Sequence, residues 1–211
     1  MAAVKKIALI VGSSRVGGNA PGIAAWLSPL IQKQLNLTSA TTKQSYEVVV
    51  VHPTDHPLGP VVWGAKMPMQ IRDPADYPSQ TVRDWSAFVS SFAGFVFLTP
   101  EYNGGYPGDL KNALDHVYWE WEGKAASIVS YGGGGGGRSA AQLTDILKSV
   151  RLTLTSKAVN ITVPGPFISG EDRVLAGSAH PEFLGAYVQP VEEATGELLA
   201  LLQEEKKAES T

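Results

Sequence analysis

The sequence predicts an α/β fold in which a parallel sheet of five strands is covered by helices on both faces. Short apolar, β-branched runs alternate along the chain with segments whose apolar residues recur at helical spacing. The runs are continuously apolar, as is typical of strands that are buried on both faces. Neither an internal repeat nor a linker divides the 211 residues. We therefore expect one domain over residues 1–211, with 206–211 as a disordered tail.

The expected elements follow one another in βα order. The strands are predicted at 6–11, 46–51, 94–99, 125–131 and 152–163, and the second is expected to be buried. The helices are predicted at 18–37, 79–91, 108–118 and 138–150, with a last one ending at 205. Pro29 predicts a kink or an early break in the first helix. Residues 53–78 read as an irregular loop with room for one short helix, and 164–180 as a loop.

Composition excludes several classes of function. The chain has no cysteine, which removes disulfides, thiol nucleophiles and cysteine-ligated metals. A formal net charge of -3 gives no reason to expect nucleic acid. No apolar run has the length of a membrane span, and the first apolar run leads into a glycine turn instead of a cleavage site. The histidines lack ligand spacing, so no metal is predicted. We expect a cytoplasmic protein without nucleic-acid or membrane partners.

The ligand site is expected at the carboxyl ends of the strands, where strand order reverses. The loop after the first strand, residues 12–19, is rich in glycine and serine and opens a helix. Free backbone amides, two hydroxyls and the Arg15 guanidinium could hold a phosphate there. Its glycine spacing fits neither the dinucleotide fingerprint nor the P-loop. A tight turn with a helix cap is the alternative.

The loops after the third and fourth strands are equally unusual. Residues 99–108 hold two prolines and three glycines, and could present backbone groups and a tyrosine to a planar ligand. The alternative is a plain turn with Asn103 and Gly104 at its tip. Residues 132–137 are six glycines, which indicate either close approach of a ligand or a mobile flap. Arg138 follows, as a contact for a nicotinamide cofactor's phosphate or as a solvated charge.

The middle loop carries a specific resemblance. Its PEYNGG at 100–105, followed by PG-x-LKNALD at 107–115, resembles the signature of the NADPH-dependent FMN reductase family. GSSR at 12–15 is similar to that family's phosphate loop, and SYGG at 130–133 to its third flavin loop. The resemblance implies a flavodoxin-like three-layer sandwich with strand order 2-1-3-4-5. It also implies a homodimer or homotetramer that uses FMN and NADPH or NADH to reduce free flavin, a quinone, an azo compound or a metal oxyanion.

The same resemblance assigns the site residue by residue. It gives the FMN phosphate to Ser13, Arg15, Asn19 and the Ala20 amide. It gives the ring and ribityl chain to Pro100, Glu101, Tyr102, Asn103 and Gly104, and the other side of the ring to Ser130, Tyr131, Gly132 and Gly133. No catalytic side chain is expected, because the cofactor carries the redox chemistry. Many relatives have a second basic residue where this chain has glycines 17 and 18, so Arg15 is expected to be the lone cation.

Two alternatives stay open at this point. Tyr118, Trp119 and Trp121 could line the flavin pocket, fill a dimer interface or pack in the core. The chain could also be a flavodoxin-type electron carrier, or a redox-sensing interaction protein, without NAD(P)H turnover. Consumption of NADPH distinguishes these functions from a reductase.

Overall fold

A parallel sheet forms the centre of the protein. The computed structural model describes residues 4–37, 44–61, 64 and 66–209. The strands are β1 (Lys5–Val11), β2 (Tyr46–Val51), β3 (Gly94–Pro100), β4 (Ala125–Gly132), β5 (Thr153–Leu154) and β6 (Val159–Thr162). They pair in the order β2-β1-β3-β4-β5, and β6 also pairs with β4. The predicted flavodoxin-like order is therefore confirmed.

Helices cover both faces of this sheet. They are α1 (Ala20–Asn36), α2 (Gln80–Ser90), α3 (Gly108–Asp115), α4 (Gly137–Ser149), α5 (Gly165–Ile168) and α6 (Val188–Glu209). Alternate residues of β1 point to opposite faces. Ile7 and Leu9 pack with α1 and α6, whereas Ala8 and Ile10 pack with α2, α3 and α4. This arrangement is the three-layer sandwich that the sequence predicts. Within the described residues, none of the helices is both long and apolar enough to span a membrane.

The predicted fifth strand is divided in two. β5 pairs with the start of β4, at Ala125 and Ala126, and β6 pairs with its end. Between them the Thr155 hydroxyl lies 3.2 Å from the Ser127 hydroxyl. The polar residues at 155–157 break the apolar pattern, so the ladder stops there and resumes at Val159. The prediction of one continuous strand over 152–163 was wrong.

Two helices of the outer layers also differ from prediction. α1 runs from Ala20 to Asn36 through Pro29, so the early break, one of the two predicted outcomes, does not occur. Pro29 is exposed, while Leu27 and Ile31 bury the opposite side of the helix. α3 ends at Asp115 and not at 118, because the Tyr118 amide donates to the Glu120 carboxylate at 3.1 Å.

The remaining differences lie at an edge, in a loop and at the C-terminal end. β2 is an edge strand and only partly buried, with Val50 37% exposed. The described part of residues 53–78 contains three short 3₁₀ turns, Pro53–Asp55, Pro68–Gln70 and Pro74–Asp76, each started by a proline. A fourth 3₁₀ turn, Glu182–Tyr187, leads into α6. Residues 206–209, expected in the tail, continue α6, since lysine, alanine and glutamate favour helix. Residues 210 and 211 lie outside the described residues.

Candidate functional site

A cleft of about 280 Å³ lies at the carboxyl ends of β1, β3 and β4. The loops that follow these strands are adjacent because parallel strands end at one edge of the sheet. The cleft brings together most of the predicted site residues: Ser13, Arg15, Asn19, Pro100, Glu101, Tyr102, Tyr131, Gly132 and Gly133.

Four predicted residues do not line this cleft. Ala20 is 1% exposed in the first turn of α1. Asn103 and Gly104 form the tip of a turn beside the cleft. Ser130 is fully buried, and its hydroxyl lies 2.8 Å from the Gly135 carbonyl and 2.7 Å from the Asn160 amide oxygen. Ser130 therefore supports the third loop from below.

The first loop presents a helix N-terminus and a free cation to the cleft. No acidic residue stands in the first turn of α1, whose amides carry partial positive charge. The Ser13 hydroxyl accepts the Arg15 amide at 3.3 Å and shares a 2.7 Å hydrogen bond with the Tyr102 hydroxyl. The Arg15 side chain is exposed and forms no ion pair with a described carboxylate. This end of the cleft attracts an anion.

The second loop is a tight turn that aims Tyr102 across the cleft. Tyr102 and Gly105 exchange backbone hydrogen bonds of 2.8 and 3.0 Å. Asn103 and Gly104 have φ values of 50° and 84°, as a hairpin turn with both central residues left-handed requires. Tyr131 lies beside Tyr102. Burial, and to a smaller extent the proximity of Tyr102, raises the pKa of the Tyr131 phenol, which therefore stays neutral.

Helix α4 fixes the second loop to the third. The Arg138 Nε donates to the Glu101 carboxylate at 2.8 Å, and a second guanidinium nitrogen contacts the same oxygen. Ser139 donates to the Pro100 carbonyl at 2.8 Å, and Gln142 to the Gly104 carbonyl at 3.2 Å. The exposed Arg138 guanidinium is thus paired with the Glu101 carboxylate.

The glycine run forms an ordered turn. The Gly135 amide donates to the Gly132 carbonyl at 3.0 Å, and Gly135 and Gly136 both have positive φ, 81° and 75°. A Cβ on Gly136 would lie 2.9 Å from the Tyr131 carbonyl oxygen. At these two positions the backbone requires glycine. The turn brings the third loop to the floor of the cleft.

The sequence did not predict the fourth wall of the cleft. Phe167, Ile168 and Arg173, from the expected loop at 164–180, also line the cleft. The Arg173 Nε donates to the Gly17 carbonyl at 3.1 Å. No local pattern marks these residues, since an arginine in a polar loop is ordinary. Arg15 is therefore not the only arginine that lines the cleft.

A wider cleft, of about 570 Å³, lies on the other side of the first loop. It is lined by Ser14, residues of 53–60 and the start of α3, and no described lysine or arginine is among them. The Ser14 hydroxyl is bonded to the Asp109 carboxylate. His56, also in its wall, packs on Trp85 and Phe88, and burial lowers its pKa. This cleft lacks the cations that a phosphate needs.

The aromatic residues after α3 lie away from the smaller cleft. Trp121 is fully buried and packs against Phe95 and Phe97 in the core. Trp119 donates to the Met69 carbonyl at 3.0 Å and holds residues of the 53–78 loop. Of the three predicted locations, the flavin pocket, a dimer interface and the core, Trp121 occupies the core.

The sequence resembles proteins of one family along most of its length. Residues 5–163 match the family model described as NADPH-dependent FMN reductase. An NAD(P)H-dependent FMN reductase of Schizosaccharomyces pombe is 34% identical over 176 residues, covering 83% of this chain and 79% of its own. The Saccharomyces cerevisiae NAD(P)H-dependent FMN reductase LOT6 is 35% identical over 178 residues, 84% and 91% of the two chains.

A solved structure shares the fold. The flavoenzyme NAD(P)H:(acceptor) oxidoreductase FerB of Paracoccus denitrificans superposes with a TM-score of 0.62 at 20% identity, over 93% of this chain and 98% of its own. The motif at 100–115, the strand order and the length of the family match agree. The chain belongs to the NADPH-dependent FMN reductase family.

Proposed function

We propose that the chain is one FMN-binding domain that uses NAD(P)H to reduce a small acceptor. The observation that carries this proposal is the cleft, in which the amides and the free guanidinium of the first loop open onto a floor built by the second and third loops. When bound, FMN would supply the hydride-transfer chemistry that links NAD(P)H to the acceptor. The residues of the chain bind and orient these molecules.

The first loop suits the flavin phosphate. Its side chains are small next to the helix N-terminus, so an anion can approach the free amides closely. Arg15 adds a guanidinium that is free to make charge-assisted hydrogen bonds. Ser13 presents a hydroxyl that the Tyr102 hydroxyl already orients at 2.7 Å.

The second and third loops suit an uncharged, flat group. Pro100 and Gly132 bring backbone close to the cleft, and Tyr102 borders it with a ring that is 36% exposed. The one carboxylate in this part, Glu101, is neutralised by Arg138. Neutral ring edges meet no uncompensated charge there.

We propose that the acceptor is free flavin, a quinone, an azo compound or a metal oxyanion. The acceptor and NAD(P)H would occupy one stacking position in turn. We further propose a cytoplasmic homodimer or homotetramer. Membership of the family supports the reduction of a small acceptor.

Reconstitution and anaerobic reduction test the function. Purified protein mixed with FMN and desalted should remain yellow, and anaerobic NADPH or NADH should bleach the colour. Adding a quinone should then restore the colour, with one nicotinamide consumed for each quinone. Failure to retain FMN would overturn the proposal. Retained FMN without nicotinamide oxidation would instead favour the electron carrier or the redox-sensing protein.

Arg15→Ala tests the phosphate contact. We expect it to raise the Kd of FMN about tenfold or more, because a hydrogen bond to a charged group contributes about 1.5–3 kcal/mol. The Kd of riboflavin, which lacks the phosphate, should stay unchanged, and Arg15→Lys should retain part of the affinity. Titration by flavin fluorescence measures both constants. Equal weakening of the two flavins would contradict the role of Arg15.

A further inference from the structure

We infer that the segment 165–174 forms part of the phosphate site, and that Arg173 is the second cation of that site. The inference rests on the proposed function, since it concerns the anion held at the first loop. In the first loop, Gly17 and Gly18 stand where a second basic side chain could have been. The inference assigns that second phosphate contact to a segment far away in sequence.

Backbone carbonyls hold the Arg173 guanidinium next to the first loop and leave one of its nitrogens without a described partner. Its Nε donates to the Gly17 carbonyl at 3.1 Å, and one terminal nitrogen donates to the Gly170 carbonyl at 2.8 Å and to the Asp172 carbonyl. The other terminal nitrogen bonds to no described residue. Arg173 forms no ion pair with a described carboxylate.

The Asn19 side chain ties this segment to the N-terminus of α1. Its amide nitrogen donates to the Phe167 carbonyl at 2.8 Å, and its oxygen accepts the buried Val174 amide at 2.9 Å. Asn19 is 9% exposed, and its amide bonds the segment at both ends. Asn19 therefore acts as a positioning residue for Arg173.

The same segment packs closely against α1 at Gly22, which has no side chain. A Cβ on Gly22 would lie 2.0 Å from the Val174 carbonyl oxygen and 2.7 Å from the Leu175 nitrogen, so only glycine allows the observed approach. The Val174 side chain is 1% exposed and belongs to the hydrophobic core on this face. Arg173 thus directly precedes a residue that is fixed in the core.

A planar guanidinium in this position suits a phosphate. Arg15 and Arg173 line the same cleft from elements far apart in sequence, and the α1 amides lie at the base of the first loop. The remaining terminal nitrogen of Arg173 and the guanidinium of Arg15 can together donate charge-assisted hydrogen bonds to the oxygens of one phosphomonoester. Bound phosphate would in turn strengthen the contact between the first loop and the segment.

Arg173→Gln and Arg173→Lys test this inference. We expect Arg173→Gln to raise the Kd of FMN about tenfold and to change that of riboflavin less than about twofold. Inorganic phosphate should raise the thermal midpoint of the wild-type apoprotein, and this increase should shrink in Arg173→Gln. Arg173→Lys keeps the charge and should recover part of both effects. Lys33→Gln, which removes an exposed cation from the last turn of α1, away from the cleft, should leave FMN affinity unchanged.

The outcomes separate this inference from the proposed function. If the wild type binds no FMN, the proposed function fails. If the wild type binds FMN and Arg15→Ala weakens it selectively while Arg173→Gln does not, only the role of Arg173 is overturned. Equal weakening of FMN and riboflavin by both Arg173 variants would also overturn it, because Arg173 would then only shape the loop.

Discussion

The two ends of the cleft are stabilised in different ways. The phosphate end, formed by Ser13, Arg15, Gly17 and Arg173, has two arginines without a carboxylate partner among the described residues. The ring end, formed by residues 100–105 and 131–137, contains a carboxylate and an arginine that neutralise each other. A distant segment closes the first end, whereas the second is built from local turns and the start of α4.

This difference indicates which end of the cleft can recognise a negative charge on the ligand. A cation already paired with a protein carboxylate contributes little attraction to an anion, while an unpaired cation near a helix N-terminus keeps its full attraction. Substitutions at the phosphate end should therefore discriminate FMN from riboflavin. Substitutions at the ring end should affect the two flavins alike.

Gly22→Ala should give the largest effect, because its new Cβ would meet the Val174 carbonyl at 2.0 Å. The segment 165–174 must move away, and Arg173 moves with it. We expect a loss of about 3 kcal/mol in the free energy of unfolding, at the upper end of typical overpacking costs. The Kd of FMN should rise by more than that of riboflavin. Urea unfolding and flavin titration measure the two effects.

Gly196→Ala provides the matched control for this substitution. Gly196 also lies inside a helix, and its added Cβ would have only the Gln34 amide nitrogen nearby, at 3.9 Å. That change should stabilise the protein by about 0.5–1 kcal/mol, as alanine favours helix over glycine. If the two substitutions gave the same result, the close packing of the segment on α1 would be refuted.

The sequence predicts the ring end better than the phosphate end. Strand ends, turn residues such as Asn103 and Gly104, and the motif at 100–115 are local patterns, and the parallel fold brings them to one edge. The Asn19–Val174 contact, by contrast, spans 155 residues and depends on how a loop without periodicity packs on α1. Gly22 has no distinguishing feature in the sequence. Its role appears only when the Val174 carbonyl is seen against the helix.

The fifth strand shows the same limit in the fold. The residues at 155–157 interrupt an apolar run that would otherwise satisfy the strand pattern. Whether such an interruption bends a strand or divides it depends on the partners available on β4. Here the Ser127 hydroxyl lies beside Thr155, and the ladder on β4 is interrupted. Periodicity along one chain segment does not contain that information.

Asn19→Ala should have the next largest effect. It removes both bonds to the segment and leaves the buried Val174 amide without its acceptor, at a cost of about 2 kcal/mol in the free energy of unfolding. FMN affinity should fall more than riboflavin affinity, because Arg173 loses its support. Thermal unfolding and flavin titration measure these changes.

Asn19→Asp sharpens the same test. The carboxylate still accepts the Val174 amide, but its other oxygen would face the Phe167 carbonyl and its charge would be buried, so at least as much stability should be lost as with alanine. The new negative charge lies beside the first loop and should repel the phosphate. We therefore expect Asn19→Asp to be no more stable than Asn19→Ala and to be the weaker FMN binder. The opposite order of FMN affinities would argue against an anion at this end.

Arg138→Gln should have the smallest effect, since it breaks an ion pair whose arginine is 76% exposed. Such pairs contribute about 0–1 kcal/mol to stability. Glu101 would then face the ring end with an uncompensated charge, which weakens FMN and riboflavin by the same small factor. Glu101→Gln together with Arg138→Gln removes both charges and should restore the affinity for both flavins. A selective loss of FMN in Arg138→Gln would mean that Arg138 contacts the phosphate, and the distinction between the two ends would no longer hold.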